Sequence, residues 1–206
     1  MGVLDLVPIF SYLFSGGKCR YCGAKLSIRY FFSEVIGGLT YLFIVMKFGL
    51  SLECVKYLVL CSLLLCASFA DLEDMIIPDR LIVLGLVNRL VFVFIEGNIK
   101  DGLLNSLIGA FCISIPMLII VLIMERIMKR EAMGGGDLKL FMMIGSYFSI
   151  GENVLSVLFA CVIGLLFSVL MKKTNEEFPF GPSICLAYFL TLFVGSNILN
   201  WYFSLF

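Results

Sequence analysis

Residues 102–124, GLLNSLIGAFCISIPMLIIVLIM, contain no charged side chain. A helix crossing the hydrocarbon core of a bilayer needs about 20 mostly apolar residues, and this stretch supplies them. Residues 153–171, NVLSVLFACVIGLLFSVLM, do so again. Reading outward between polar clusters gives further candidates at 31–49, 54–71, 78–95, 138–151 and 182–203. The expected fold class is therefore all-α, a polytopic integral membrane helix bundle of about seven transmembrane helices with short loops. The fifth candidate, 138–151, is short, and Glu152 marks a tight exposed turn before the next. Residues 3–14 are amphipathic and too short to cross, which suits a segment lying on the membrane surface.

Composition agrees. Of 206 residues, 61% are hydrophobic and the mean hydropathy is +1.07, whereas soluble domains are roughly half apolar. Lipid must solvate much of this surface. The net charge is zero, which argues against nucleic acid as a partner, because phosphate binding needs a basic excess. Histidine is absent. That removes Ser–His and Cys–His nucleophiles, histidine metal ligation and histidine proton shuttling, so hydrolytic chemistry would rest on carboxylates, lysine or cysteine. Of the eight cysteines, Cys54, Cys61, Cys66, Cys112, Cys161 and Cys185 lie in or beside apolar runs, where a thiol behaves as a small hydrophobe. Only Cys19 and Cys22 stand close together in a polar context. The opening MGVLDLVPIFSYLF lacks a basic start and carries Asp5 and Pro8, so no cleavable secretory signal is expected.

Short loops that retain Lys and Arg mark the cytoplasmic side. With the N-terminus cytoplasmic, only Lys47, Lys56, Arg89 and Lys100 of the fifteen basic residues fall on the other side and its flanks. KCRYCGAK (18–25), DLEDMIIPDR (71–80), ERIMKREAMGGGD (125–137) and KKTNEEFPFGP (172–182) then share the cytoplasmic face.

Within those loops, Asp71 ends the second span at the hydrocarbon border, where a carboxylate is expensive and functional by default. Pro78 and Asp79 suit the first turn of the third span; the plain alternative is a polar turn with ordinary charges. In GGGD (134–137), glycines let backbones approach one another or a ligand; the plain alternative is a hinge or helix packing. Together the motifs place two carboxylates, Asp71 and Asp137, on different spans at one membrane edge. Two neighbouring carboxylates share a proton, so one serves as base and the other as acid, which is what metal-free hydrolysis of a peptide bond requires. Gly134, Gly135 and Gly136 would admit a substrate backbone to Asp137. Helix-end fields, about 0.3–1 kcal/mol when exposed and up to about 2 when partly buried, favour Asp137 as base and Asp71 as acid. Asp74, Asp79, Lys139, Glu176 and Glu177 are candidate substrate contacts on the same rim. NEEFPFGPS reads as a stiff connector in which Pro179, Gly181 and Pro182 set re-entry into the last span.

CRYC, Cys19 to Cys22, has metal-ligand spacing, but structural zinc takes four ligands. One pair is half a site, which a homodimer would complete. A competing class is an ion- or proton-coupled transporter using intramembrane acids and glycine-broken helices; the absence of an internal repeat and the edge position of the acids weigh against it. A third is a membrane-anchored metal-binding or assembly protein built around Cys19 and Cys22.

These pieces in this order resemble the type IV prepilin peptidase family, polytopic aspartic endopeptidases of the GxGD type. LVPIFSYLFSGGKCRYCGAKLSIRYFFSEVIGG resembles the family's cysteine-bearing cytoplasmic loop, DLEDMIIPD its first aspartate motif, GGGD its second and PFGP its late cytoplasmic turn. The resemblance divides the chain into a cysteine-bearing segment, 1–30, and a transmembrane peptidase domain, 31–206. It implies that Asp71 and Asp137 are the catalytic pair of a prepilin leader peptidase in the bacterial inner membrane. Such an enzyme cuts the short basic leader from prepilins or pseudopilins of type IV pilus or type II secretion systems, just before the substrate's hydrophobic helix and typically after glycine. Proteolysis in that family needs no cofactor; zinc at the cysteines and S-adenosylmethionine for N-methylation belong to its longer members. Those carry an additional N-terminal span and a first C-x-x-C pair that this sequence lacks.

Overall fold

The structure, a computed structural model, describes residues 10–19, 21–129, 133–170 and 179–205. Eight helices are found among them: α1 (Phe10–Phe14), α2 (Ile28–Phe48), α3 (Leu52–Asp74), α4 (Asp79–Ile95), α5 (Ile99–Met128), α6 (Gly135–Gly145), α7 (Ile150–Leu170) and α8 (Gly181–Phe203). The described residues contain no strand; Lys18 and Lys25 form an isolated antiparallel bridge. The chain is therefore all-α, and α2 to α8 follow the seven expected segments in order. Five of them, α2, α3, α5, α7 and α8, are long and apolar enough to cross a membrane. At 17 residues α4 lies at the lower limit for a span, and α6 at 11 falls below it. An 11-residue helix rises only about 16 Å.

Helix boundaries follow local chemistry. Ser27 caps α2 by accepting the Arg29 N–H, and Gly49, at φ 61°, ends it in the left-handed region that glycine tolerates. Ser51 accepts the Cys54 N–H as α3 begins. Pro78 precedes Asp79 at the start of α4, as expected. Pro116 lies inside α5, a position tolerated in membrane helices where neighbouring groups take up the freed carbonyl. The exposed turn at Glu152 is a capping box: Glu152 Oε2 accepts the Ser149 N–H at 3.0 Å, while Ser149 Oγ faces the Glu152 N–H at 3.4 Å.

Contacts group the chain into two compact units, residues 1–58 and 59–206. In the first, the segment between α1 and α2 turns through Gly16, Gly17 and Gly23, all at positive φ. In the second, α7 packs along α8, and α6 packs against α5, α4 and α8. The centre of that unit is α6, whose Leu140, Phe141, Met143 and Ile144 are each at most 1% exposed. By contrast Ile119, Ile120, Leu122 and Ile123 of α5 are each more than half exposed, a surface suited to lipid. Where α5 crosses α6, a Cβ at Gly145 would stand 2.6 Å from the Gly109 carbonyl oxygen, and one at Gly109 would strike the Gly145 carbonyl. The crossing exists because both residues are bare, as in close membrane helix pairs.

Candidate active site

Asp71 lies in the last turn of α3. The helix stops because Met75 adopts φ 54° while its N–H still bonds the Asp71 carbonyl at 3.1 Å. A left-handed non-glycine residue costs roughly 1–2 kcal/mol. It redirects the chain so that Met75 and Ile76 stay exposed while Ile77 is buried. Pro78 keeps Ile77 out of helical conformation, and α4 starts one residue later.

The Asp71 side chain is buried, and its Oδ2 accepts the N–H of Gly181 at 2.8 Å. Gly181 opens α8, where backbone N–H groups lack intrahelical partners and the helix dipole is positive. Pro182 has no N–H to offer, so Gly181 is the donor. A Cβ at Gly181 would come 2.8 Å from Asp71 Oδ2 and 3.1 Å from its Cβ and Cγ. Only glycine fits. In the sequence this glycine belongs to a stiff connector, and its place between Pro179 and Pro182 at the mouth of a span is the signal that points to it.

Asp137 occupies the first turn of α6, its own N–H bonded to the Gly134 carbonyl at 3.1 Å. It is 9% exposed, and its Oδ1 is buried without a hydrogen-bond partner among the described residues. Burial first, and the charge of Asp71 second, push the Asp137 carboxyl up from 3.8 to about 7. The hydroxyl of Ser183, in the first turn of α8, is likewise buried and unpartnered among the described residues.

The three glycines before Asp137 have different surroundings. A Cβ on Gly135 would meet nothing within 4 Å; one on Gly134 would touch Asp137 Oδ2 at an ordinary 3.5 Å; one on Gly136 would press Ile77 Cβ at 3.2 Å. Gly136 thus brings the second acidic motif against the first, while Gly135 leaves open space. Both aspartates line one cleft of about 430 Å³, together with residues 75–79, 134–136 and Lys139. At its rim Lys139 Nζ donates to Asp79 Oδ1 at 2.6 Å, both side chains being exposed.

The cleft therefore gathers Asp71, Asp79, Gly134, Gly135, Gly136, Asp137 and Lys139. Asp74 is exposed at the end of α3 and is not among the lining residues. Glu176 and Glu177 lie outside the described residues. Cys19 and Cys22 belong to the first unit, on a knuckle closed by the Cys19 N–H to the Ala24 carbonyl (2.8 Å) and the Gly23 N–H to the Cys19 carbonyl (2.9 Å). Two thiols supply half a tetrahedral zinc set. Among the described residues no group of three or more Cys, Asp or Glu could hold a metal. The described residues do not complete a zinc site.

Two family models match the chain. The Type IV leader peptidase family model covers residues 58–169, more than half of it, and the Bacterial Peptidase A24 N-terminal domain model covers residues 1–48. A prepilin leader peptidase/N-methyltransferase of Bacillus subtilis (strain 168) is 28% identical over 207 residues, spanning 96% of this chain and 79% of the relative. Proteins of the same description from Aeromonas salmonicida (strain A449) and Myxococcus xanthus (strain DK1622) are 27% and 31% identical. They cover 98% and 80% of this chain, and 70% and 49% of their own lengths. No solved structure gives a significant match. The transporter alternative finds no support in these comparisons.

Proposed function

The chain belongs to the type IV leader peptidase family, and we propose from that premise that Asp71 and Asp137 cut the leader from a prepilin or pseudopilin. The observation that carries this reading is two carboxyl groups from separate helices lining one cleft in a chain without histidine. The excess of Lys and Arg on one side supports an inner-membrane protein with this cleft at the cytoplasmic face.

The pair divides the acid and base roles by environment. Both aspartates stand near helix starts, but among the described residues only Asp71 receives a directed N–H, from Gly181. A hydrogen bond to a charged acceptor is about twice as strong as a neutral one, which favours the carboxylate form there. Asp137 has a buried oxygen without a partner among the described residues, which favours the neutral form. The shared proton rests on Asp137. This inverts the roles expected from helix ends alone, because a direct donor at 2.8 Å outweighs a diffuse end field. Asp71 then takes a proton from water as the water oxygen bonds the scissile carbonyl carbon. Asp137 gives its proton to the carbonyl oxygen, forming a tetrahedral diol. Asp71 then returns its proton to the amide nitrogen while Asp137 takes one back from a diol hydroxyl, so the C–N bond breaks, leader and mature N-terminus separate, and the pair is restored.

The test is incubation of the purified chain in detergent with a prepilin, read by intact mass. Loss of the leader supports the reading, and the same spectrum reports any added methyl group. No cleavage by the wild-type chain, or full cleavage by either Asp71→Asn or Asp137→Asn, would overturn it.

A further inference from the structure

We propose that Asn153 is a positioning residue for the aspartate pair, acting through α6 from the end of that helix opposite the cleft. The inference rests on the catalytic reading of Asp71 and Asp137 and adds what sets their separation.

Asp137 does not hold itself in place. Its side chain makes no hydrogen bond to the described residues, and Oδ1 is buried without one. Its position is therefore that of the α6 backbone. The neighbour of α6 at its far end is Gly109 of α5, and the contact runs glycine to glycine. Two bare backbones in contact offer no side-chain ridge to fix rotation or sliding, since ridges and grooves are made of side chains. The packing of Leu140, Phe141, Met143 and Ile144 holds the middle of α6, so at this bare end its register rests on directed hydrogen bonds.

Asn153 supplies them. It lies on α7, fully buried at 0% exposure. Its Nδ2 donates to the Gly145 carbonyl at 3.0 Å and the Phe148 carbonyl at 3.2 Å, with the Gly109 carbonyl at 3.4 Å. Cys112 Sγ stands farther off at 3.8 Å. Carbonyls only accept, so the amide nitrogen must face them. The other end of the amide is fixed too, because Asn153 Oδ1 accepts from the Tyr188 hydroxyl of α8 at 3.3 Å. One side chain thus ties the end of α6 to α5, α7 and α8. Gly145 is eight residues from Asp137, a rod of about 12 Å. A tilt or rotation at the far end moves the carboxyl in the cleft. Misplacements of about 1 Å are worth as much as 10²-fold in rate.

The experiment replaces Asn153 with leucine, similar in size but without donors, in the full chain in detergent. Its substrate is a peptide with a basic leader, a glycine and an apolar helix. A second variant, Tyr188→Phe, removes one bond to the amide and keeps the others. Positioning predicts that Asn153→Leu lowers kcat per folded molecule about 10- to 100-fold with KM within about twofold. The alkaline limb of its pH–rate profile moves to lower pH, because separating the carboxyls weakens their coupling. Tyr188→Phe moves both readouts the same way by a smaller factor. A merely structural role predicts less folded protein but an unchanged kcat per folded molecule and an unchanged profile, and that result overturns the inference. If Asn153→Leu does not fold, Tyr188→Phe decides, and a wild-type kcat and profile there overturn it. Activity retained in Asp71→Asn or Asp137→Asn would instead sink the catalytic reading, so the two failures are distinguishable.

Discussion

At its far end α6 hands its carbonyls to waiting donors, whereas at the cleft it presents a carboxyl group with one oxygen unmet among the described residues. Asn153 serves Gly145 and Phe148, Arg89 Nε donates to the Ser146 carbonyl at 3.0 Å, and the Tyr147 hydroxyl donates to the Gly85 carbonyl at 2.6 Å. The cleft end has three glycines, an exposed ion pair and Asp137. Buried polar groups are normally satisfied, and the departure falls where chemistry is proposed. One short helix thus joins an anchored end to a reactive one.

The sharpest way to break this contrast is to neutralise the reactive end. Asp71→Asn and Asp137→Asn preserve shape and remove acid–base capacity, so each is expected to lower cleavage by about 10³-fold or more with the purified protein still folded. The same pair of changes at the anchored end has no counterpart, because Asn153 carries no proton to transfer. Residual cleavage within tenfold of wild type in either aspartate variant would remove the distinction between the two ends.

Next in size is Gly181→Ala. The added methyl would overlap Asp71, standing 2.8 Å from Oδ2, so the carboxyl must move and its N–H bond must lengthen. A fall in kcat of about 10- to 100-fold is expected. Gly135→Ala is the control, since its Cβ meets nothing within 4 Å; it should raise KM by intruding on the cleft while leaving kcat nearer wild type. Equal effects on kcat from the two alanines would count against Gly181 as the support of Asp71.

Acidity sharpens the contrast further. The Asp137 carboxyl, pushed up from 3.8 to about 7, must be protonated to act as the acid. Cleavage should therefore decline several-fold as pH rises through about 7. Stability carries the same sign: a folded value above the unfolded one contributes below about 3.8 and is lost as pH rises through about 7. Wild-type protein in detergent should lose melting temperature between pH 5 and pH 8, and Asp137→Asn should lose less. A wild-type melting temperature flat across that interval would contradict the burial of Asp137.

Much of this was legible in the sequence, for identifiable reasons. Long uncharged runs such as 102–124 can satisfy a bilayer only as helices, so the order of α2 to α8 followed directly. The acidic motifs were legible because a carboxylate at a hydrocarbon border is costly. The length of α6 was not, since Gly145 and Ser146 sit within continuous apolar sequence and the helix ends there through tertiary bonds. Periodicity cannot report the Arg89 donation to Ser146 or the Asn153 clamp, which join residues on different helices. Gly181 escaped for the same reason: its partner, Asp71, is 110 positions away. The acid and base roles proposed for the pair rest on that one bond.

The smallest expected effect concerns the ion pair on the cleft rim. Lys139 and Asp79 meet at 2.6 Å, but both side chains are more than half exposed, and exposed pairs contribute about 0–1 kcal/mol. Lys139→Met should therefore change melting temperature little. It should, however, free Asp79, at the mouth of a cleft proposed to receive a basic leader. With the lysine gone, a cationic residue of the substrate gains an unshared carboxylate, and KM should fall about two- to threefold at low ionic strength. Screening over about 10 Å at 0.1 M salt should erase the gain as salt is raised. Asp79→Asn should shift KM the opposite way, with kcat preserved in both variants because neither residue transfers a proton. A change in kcat instead of KM would mean that the pair holds the first turn of α6. The cleft end would then be anchored as well, and the contrast between the two ends would be smaller than the geometry of Asn153 and Asp137 suggests.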